Sequence, residues 1–161
     1  KEGKTIIPKP SVLQTIQDKG IQKQFFQQHN IPTAHFALCD AQAITEALLS
    51  QFTGEQIVIK TRTGGYDGKG VAILNKSEAL QSMPFSGNIL IESFVPNALE
   101  IAVIVAIAQD GSHAVYPAIE MYFNPKSNLV EFLFSCIPLL SQATRCKHPF
   151  FLGSFDNLFQ F

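Results

Sequence analysis

Charge of either sign is scarce in these 161 residues: 16% are Asp, Glu, Lys or Arg, and the formal net charge is −1. No basic block stands ready to grip a phosphate backbone, so nucleic acid is excluded as the expected partner. Cysteine is scarce too. Cys39, Cys136 and Cys146 have no metal-like spacing, so free thiols in a reducing cytoplasm are expected. The histidines His29, His35, His113 and His148 are scattered and suggest no metal site. Long apolar runs are missing. The longest, Ile101 to Ala108, is far too short to span a bilayer, and Lys1-Glu-Gly-Lys4 opens no signal-peptide core. These absences leave a soluble, cytoplasmic, globular protein, with no membrane among its partners. What is present is 46% hydrophobic residues, enough for a proper core in one ordinary domain or two small subdomains.

The most informative stretch is Lys60-Thr-Arg-Thr-Gly-Gly-Tyr-Asp-Gly-Lys-Gly-Val71. Ile57-Val58-Ile59 reads as a short buried strand ending in a lysine, and Val71 to Leu74 reads as a second strand. The loop between them carries four glycines and two further cations. Glycines let backbone N–H groups approach an anion closely, and cations offset its charge, so a flexible flap over phosphates is one reading. A mobile hairpin loop of purely structural origin is the other. The loop is neither a Walker A nor a Gly-x-Gly-x-x-Gly fingerprint.

Around that stretch the chain alternates helix and strand signals. Residues 1–10, with Pro8 and Pro10, read as a linker. Ser11 can cap a short helical turn and Asp18 a longer helix to about His29, with Ile21, Phe25 and Gln28 on one stripe. Lys19 and Lys23 sit one turn apart on it and read most simply as solvated charges. Residues 33–38 suggest a strand. Asp40 caps an expected helix over 41–52 that buries Ile44, Ala47, Leu48 and Phe52. Ser77 caps another short helix, and Ile89-Leu-Ile91 is a buried strand arriving at Glu92. From Glu100 the pattern changes: Ile101 to Ala108 fits one strand covered on both sides. Asp110-Gly111 predicts a hairpin with His113 to Ile119 returning, and Leu129 to Phe134 follows an Asn124-Pro125 turn. After Ser135 no period survives. Phe150, Phe151, Phe155, Phe159 and Phe161 could cover a sheet face or be non-native sequence.

Taken together, Asp18-Lys-Gly-Ile-Gln-Lys-Gln24, Asn30-Ile-Pro-Thr33, the Lys60–Gly70 string, Glu92-Ser-Phe-Val95 and Glu100-Ile-Ala-Val-Ile-Val105 lie in an order and spacing that carry a resemblance. Tyr116-Pro117, Asn124-Pro125 and Leu129 to Ser135 continue it. The chain resembles 5-(carboxyamino)imidazole ribonucleotide synthetase, the ATP-grasp ATPase subunit of phosphoribosylaminoimidazole carboxylase in purine synthesis, over roughly residues 5–135. The resemblance implies an α+β, ATP-grasp fold: the lid subdomain plus the start of the central antiparallel-sheet subdomain, truncated. Its implied boundaries are a linker over 1–18 from a missing N-terminal Rossmann-like domain, the lid over 19–93, the start of the central subdomain over 94–135, and an unassigned tail over 136–161. It further implies ATP, bicarbonate and 5-aminoimidazole ribonucleotide as small-molecule substrates, magnesium as the companion ion, and a homodimer.

Carried over residue by residue, Lys60 would reach the ATP phosphates. Gly65, Tyr66, Asp67, Gly68, Lys69 and Gly70 would form the flap over them, and Lys19, with Lys23 close by, would be a cation near the nucleotide. Glu92, Ser93, Phe94 and Val95 would form the hinge strand that reads the adenine edge, largely through backbone groups. Glu100 would hold the ribose hydroxyls. Apart from the family, Glu92 reads more readily as a surface charge at a strand end, and Glu100 as the polar start of a buried strand. There are departures from the family pattern: Ile107 stands where an arginine is usual, Ala102 where a serine is common, and Glu120-Met121 replaces a His-Asn or Glu-Asn pair. The acidic magnesium ligands expected beyond the sheet strands are not matched, and Asp156-Asn157 is too isolated to replace them. The fragment alone is therefore expected to be inactive. Two alternatives stand beside the ligase: a non-catalytic nucleotide-binding ATP-grasp remnant, and another ATP-grasp carboxylate-amine ligase.

Overall fold

A computed structural model describes residues 8–65, 69–108, 110–124 and 129–135. The tail expectations after Ser135, including the five phenylalanines, Asp156-Asn157, Cys136, Cys146 and His148, lie outside the described residues, as does Pro125. The described chain divides into two units, one reaching Val95 and the other starting at Pro96.

In the first unit, α1 (Pro10–Gln17) opens with proline at its first position, where a fixed φ suits a helix and the missing N–H is not needed. Ser11 therefore lies inside this helix and is not its cap. Asp18 ends α1 and starts α2 (Lys19–Gln28), accepting hydrogen bonds from the backbone N–H of Gly20 (2.8 Å) and Ile21 (3.2 Å). The buried face of α2 differs from the expected stripe. Lys19, Gly20, Gln22, Lys23 and Phe26 face inward, while Ile21 and Phe25 are 39% and 40% exposed. The lysines are not solvated charges, because each finds a partner that makes its burial tolerable, as the site below describes.

The first sheet has strand order β1-β4-β2-β3, formed by β1 (Phe36–Asp40), β4 (Asn88–Ser93), β2 (Gln56–Thr61) and β3 (Val71–Asn75), antiparallel throughout. Successive side chains alternate between faces. Ile57, Ile59, Ile89 and Ile91 share one face and pack against Leu49, Phe52, Ala41 and Ala79 as the hydrophobic core. Each fully buried isoleucine of that set contributes about 1.5–3 kcal/mol. Val58, Lys60, Leu90 and Glu92 therefore turn to the opposite face.

The connections are shorter helices than the pattern predicts. The expected helix over 41–52 is a 3-10 turn, Ala41–Ala43, followed by α3 (Glu46–Leu49). Thr45 separates them because its hydroxyl caps the new turn, accepting from Leu48 N at 3.2 Å. The next helix, α4 (Lys76–Gln81), is capped at Asn75, not at Ser77, and Glu78 Oε2 accepts from the Asn75 N–H at 2.8 Å. β1 begins three residues later than expected.

The second unit is an antiparallel sheet of order β5-β8-β9, with β5 (Ile101–Ala102), β8 (Ile119–Phe123) and β9 (Val130–Ser135), beside the hairpin β6 (Val105–Ile107) and β7 (His113–Val115). The single covered strand expected over Ile101 to Ala108 is thus corrected: the run changes partner between Ala102 and Val105. β6 is exposed along its length, with Ile107 at 74%. The Asp110-Gly111 turn is as expected, with Gly111 at φ +85° and Ser112 N donating to Asp110 Oδ1 at 2.9 Å, but the return strand expected over His113 to Ile119 stops at Val115, and Ile119 opens β8, paired with Ala102. Among the described residues no helix is long and apolar enough to cross a membrane.

Candidate functional site

The glycine loop joins β2 to β3, as the strand–loop–strand reading requires, and its neck is drawn tight. Thr61 N donates to the Gly70 carbonyl at 3.0 Å. The two glycines at the neck touch: a Cβ added at Gly70 would lie 2.6 Å from the Gly65 Cα and 2.8 Å from Thr61 Oγ1. Gly65 also sits at φ +79°, beside Gly64 at φ +74°. Glycine is needed there for both space and conformation. The Thr61 hydroxyl is buried in this neck with no hydrogen-bond partner among the described residues. Lys69 is exposed at the end of the loop, whereas Tyr66, Asp67 and Gly68 lie outside the described residues.

The N-terminus of α2 is stitched to the loop's first leg. Asp18 receives Arg62 in bidentate fashion, from Nε at 2.9 Å and Nη2 at 2.7 Å. Lys19 N donates to the Arg62 carbonyl (2.9 Å), and Lys19 Nζ donates to the Gly64 carbonyl (3.1 Å). Gly20 makes this approach feasible, since a Cβ there would lie 2.6 Å from Arg62 Nε. Burial pushes the Asp18 carboxyl up, but the Arg62 hydrogen bond, the two backbone N–H donors and the guanidinium charge together hold it below 3.8.

On the sheet face away from the core, three charges meet. Lys60, from β2, lies 2.9 Å from Glu92 Oε2, and Lys23, from α2, closes on Glu92 Oε1. Lys23 Nζ also donates to Thr33 Oγ1. The Lys23 side chain is 2% exposed, Glu92 7% and Lys60 14%. Burial raises the Glu92 carboxyl, but the ammonium charges of Lys60 and Lys23 and their hydrogen bonds outweigh it, leaving the group below 4.5. Ser93 N donates to the His35 carbonyl at 2.9 Å, and the chain then leaves the ladder through half-buried Phe94 and Val95.

The structure therefore brings Lys60, Glu92, Gly65 and Gly70 into one neighbourhood, with Lys19 at the loop's first leg. Glu92 is not a surface charge. Glu100 belongs to the second unit, where its carbonyl accepts from Met121 N at 2.8 Å just ahead of β5. Sequence reasoning gave Asp18 only a capping role and left Arg62 as one cation among several. It named Lys23 only as a neighbour of Lys19, and the one local signal for it was an acid closing the apolar strand at Glu92. Cys39 is a free, half-buried thiol whose pKa is pushed up by burial and by Asp40. Among the described residues no three His, Cys, Asp or Glu converge on a metal position.

The ATP-grasp domain family matches residues 24–132, a span that takes in Lys60, the glycine loop and Glu92. The chain belongs to the ATP-grasp family. Its ATP-grasp relatives include the N5-carboxyaminoimidazole ribonucleotide synthase of Synechococcus elongatus, 34% identical over 118 residues, covering 71% of this chain and 30% of that protein. Solved ATP-grasp structures agree. The N5-carboxyaminoimidazole ribonucleotide synthetase of Thermotoga maritima superposes with a TM-score of 0.61 at 34% identity, over 75% of this chain and 31% of that one. The carboxyaminoimidazole ribonucleotide synthase of Aspergillus clavatus, complexed with ATP, gives a TM-score of 0.63 at 26% identity, over 78% and 33%. The α+β architecture is thus a partial ATP-grasp domain, and the chain spans about a third of the length of these relatives.

Proposed function

We propose that this chain supplies the ATP-binding part of an ATP-grasp ligase that carboxylates 5-aminoimidazole ribonucleotide with bicarbonate in cytoplasmic purine synthesis. The observation that carries it is the glycine-necked loop directly after a half-buried lysine, in a chain similar to synthases of that name. In this reading residues 19–93 are the lid and 94–135 open the central subdomain. Lys60 and Lys69 meet the ATP phosphates beneath the loop of residues 65–70, and Lys19 braces its first leg. The backbone of residues 92–95 reads the adenine edge, and Glu100 accepts hydrogen bonds from the ribose hydroxyls.

The chemistry then needs charge neutralisation and exclusion of water. A bicarbonate oxygen attacks the γ-phosphorus, ADP leaves, and carboxyphosphate forms. The ribonucleotide amine attacks the carbonyl carbon, inorganic phosphate leaves with the C–O electron pair, and the nitrogen loses its proton. Magnesium accompanies ATP in this reading. The described residues gather no carboxylate cluster for it. A homodimer is the assembly this reading takes from the resemblance.

A fluorescent ATP analogue titrated with and without magnesium tests the binding part. Lys60→Ala and Glu100→Ala should each weaken binding by about tenfold or more, the expected cost of losing a charge-assisted hydrogen bond. Unchanged affinity in both variants overturns the site. A nucleotide-binding remnant without chemistry is the second reading, favoured by Ile107 in the place of an arginine. In the full reading frame that carries this chain, nucleotide binding without phosphate release when bicarbonate and the ribonucleotide are added would decide for it.

A further inference from the structure

Of the three cations around the glycine loop, Lys60 and Lys69 have a part in the proposed nucleotide site and Arg62 has none. Arg62 lies one residue past the end of β2, and its fork reaches back to Asp18, from Nε at 2.9 Å and Nη2 at 2.7 Å. The same carboxylate accepts from the Gly20 and Ile21 N–H groups at the start of α2. Two more bonds close the stitch: Lys19 N donates to the Arg62 carbonyl at 2.9 Å, and Lys19 Nζ to the Gly64 carbonyl at 3.1 Å. Gly20 leaves the guanidinium its room, since a Cβ there would lie 2.6 Å from Arg62 Nε. An arginine beside such a loop invites a rival explanation, direct contact with an anion, because its fork suits phosphate as well as carboxylate.

We infer that Arg62 is a positioning residue: pinned to Asp18, it holds residues 62–65, the loop's first leg, where Lys60 and the neck glycines can meet a polyphosphate. The inference rests on the reading that this loop covers the ATP phosphates. β2 ends at Thr61, so the leg beyond it has no strand ladder to keep it in place and depends on the stitch to α2. A leg already ordered by a two-pronged ion pair and two further hydrogen bonds need not be ordered when the ligand arrives, and that saving appears as affinity. The pair fixes direction as well as distance, which the point charge of a lysine does not. Asp18 is then the fixed end of the brace as well as the cap of α2.

Asp18→Asn, Arg62→Lys and the double variant, made in the 161-residue chain, test this. Asp18→Asn keeps a side-chain oxygen for the helix cap, and Arg62→Lys keeps the positive charge, so the fold should survive both. ATP affinity is read by calorimetry at one ionic strength. If Arg62 positions the leg, each single variant should bind ATP about fivefold more weakly than the natural chain. The double variant should lose no more than either, because both changes break one brace. Direct contact requires the opposite for Asp18→Asn: with an anion removed and the guanidinium freed, ATP should bind more tightly.

Tighter or unchanged ATP binding by Asp18→Asn overturns the inference, and so do losses that add in the double variant. A second measurement needs no ligand. NMR order parameters of the amides of residues 62–65 should fall in every variant from rigid values toward about 0.6, while those of Ile57 and Ile59 in β2 stay as in the natural chain. If the natural chain binds no ATP, the proposed nucleotide site fails on its own account. The order parameters then decide whether the brace holds the leg, and unchanged values overturn it.

Discussion

Glu92 shows how a single side chain can tie stability to pH. Its folded-state pKa lies below the ordinary 4.5, so the ionised form is favoured by folding. That contribution is fully present above about pH 4.5 and is lost as pH falls through the lowered folded value. Glu92→Gln should therefore cost about 3 kcal/mol near neutrality, the usual cost of breaking a buried pair. The gap to the natural chain should narrow as the buffer is taken to about pH 3. Urea denaturation midpoints across that range check this, and a gap that stays constant would remove Glu92 from the acid response. Asp18, lowered for similar reasons by Arg62 and by the N–H groups of Gly20 and Ile21, adds to the acid loss of the natural chain but cancels in the comparison.

Among the elements, α2 depends most on one residue. Asp18 both caps it and receives Arg62, so Asp18→Ala removes a cap and a bidentate ion pair together. The expected loss is about 2 kcal/mol, read as a drop in the urea midpoint. Asp18→Asn should recover part of it by restoring the cap alone. That cap was legible in the sequence because capping is local: an aspartate two and three residues ahead of the N–H groups it serves. The Asp110-Gly111 hairpin was legible for the same reason. The inward face of α2 was not, because Lys23 is buried by a glutamate on a strand far along the chain, and periodicity sees only Ile21 and Phe25. The helix over 41–52 was over-read, since helical spacing of Ile44, Leu48 and Phe52 persists across a break that Thr45 caps. The run from Ile101 read as one strand because hydrophobicity carries no record of where a strand changes partner. At the candidate site, Lys60 and the glycines stood out by composition. The brace of Asp18, Lys19 and Arg62 did not, because it joins segments with no shared pattern.

Across the whole molecule, the two units have unequal cores. The first packs eight buried side chains around its sheet, whereas the buried hydrophobic residues described in the second are Ala102 and Ala118. Amide hydrogens of β6 and β7 should therefore exchange faster than those of β2 and β4, where local opening must break the packed core. Hydrogen exchange followed by mass spectrometry would show this, and equal protection in both units would contradict it. Strand order in the first sheet carries a further consequence. β4 is the last of its four strands to be synthesised, yet it wedges between β1 and β2. A nascent chain that has not yet emerged past Ser93 leaves β1 without a ladder neighbour and Lys23 without its acid. Assembly of this half must therefore wait for its final strand, whatever hairpin has already zipped.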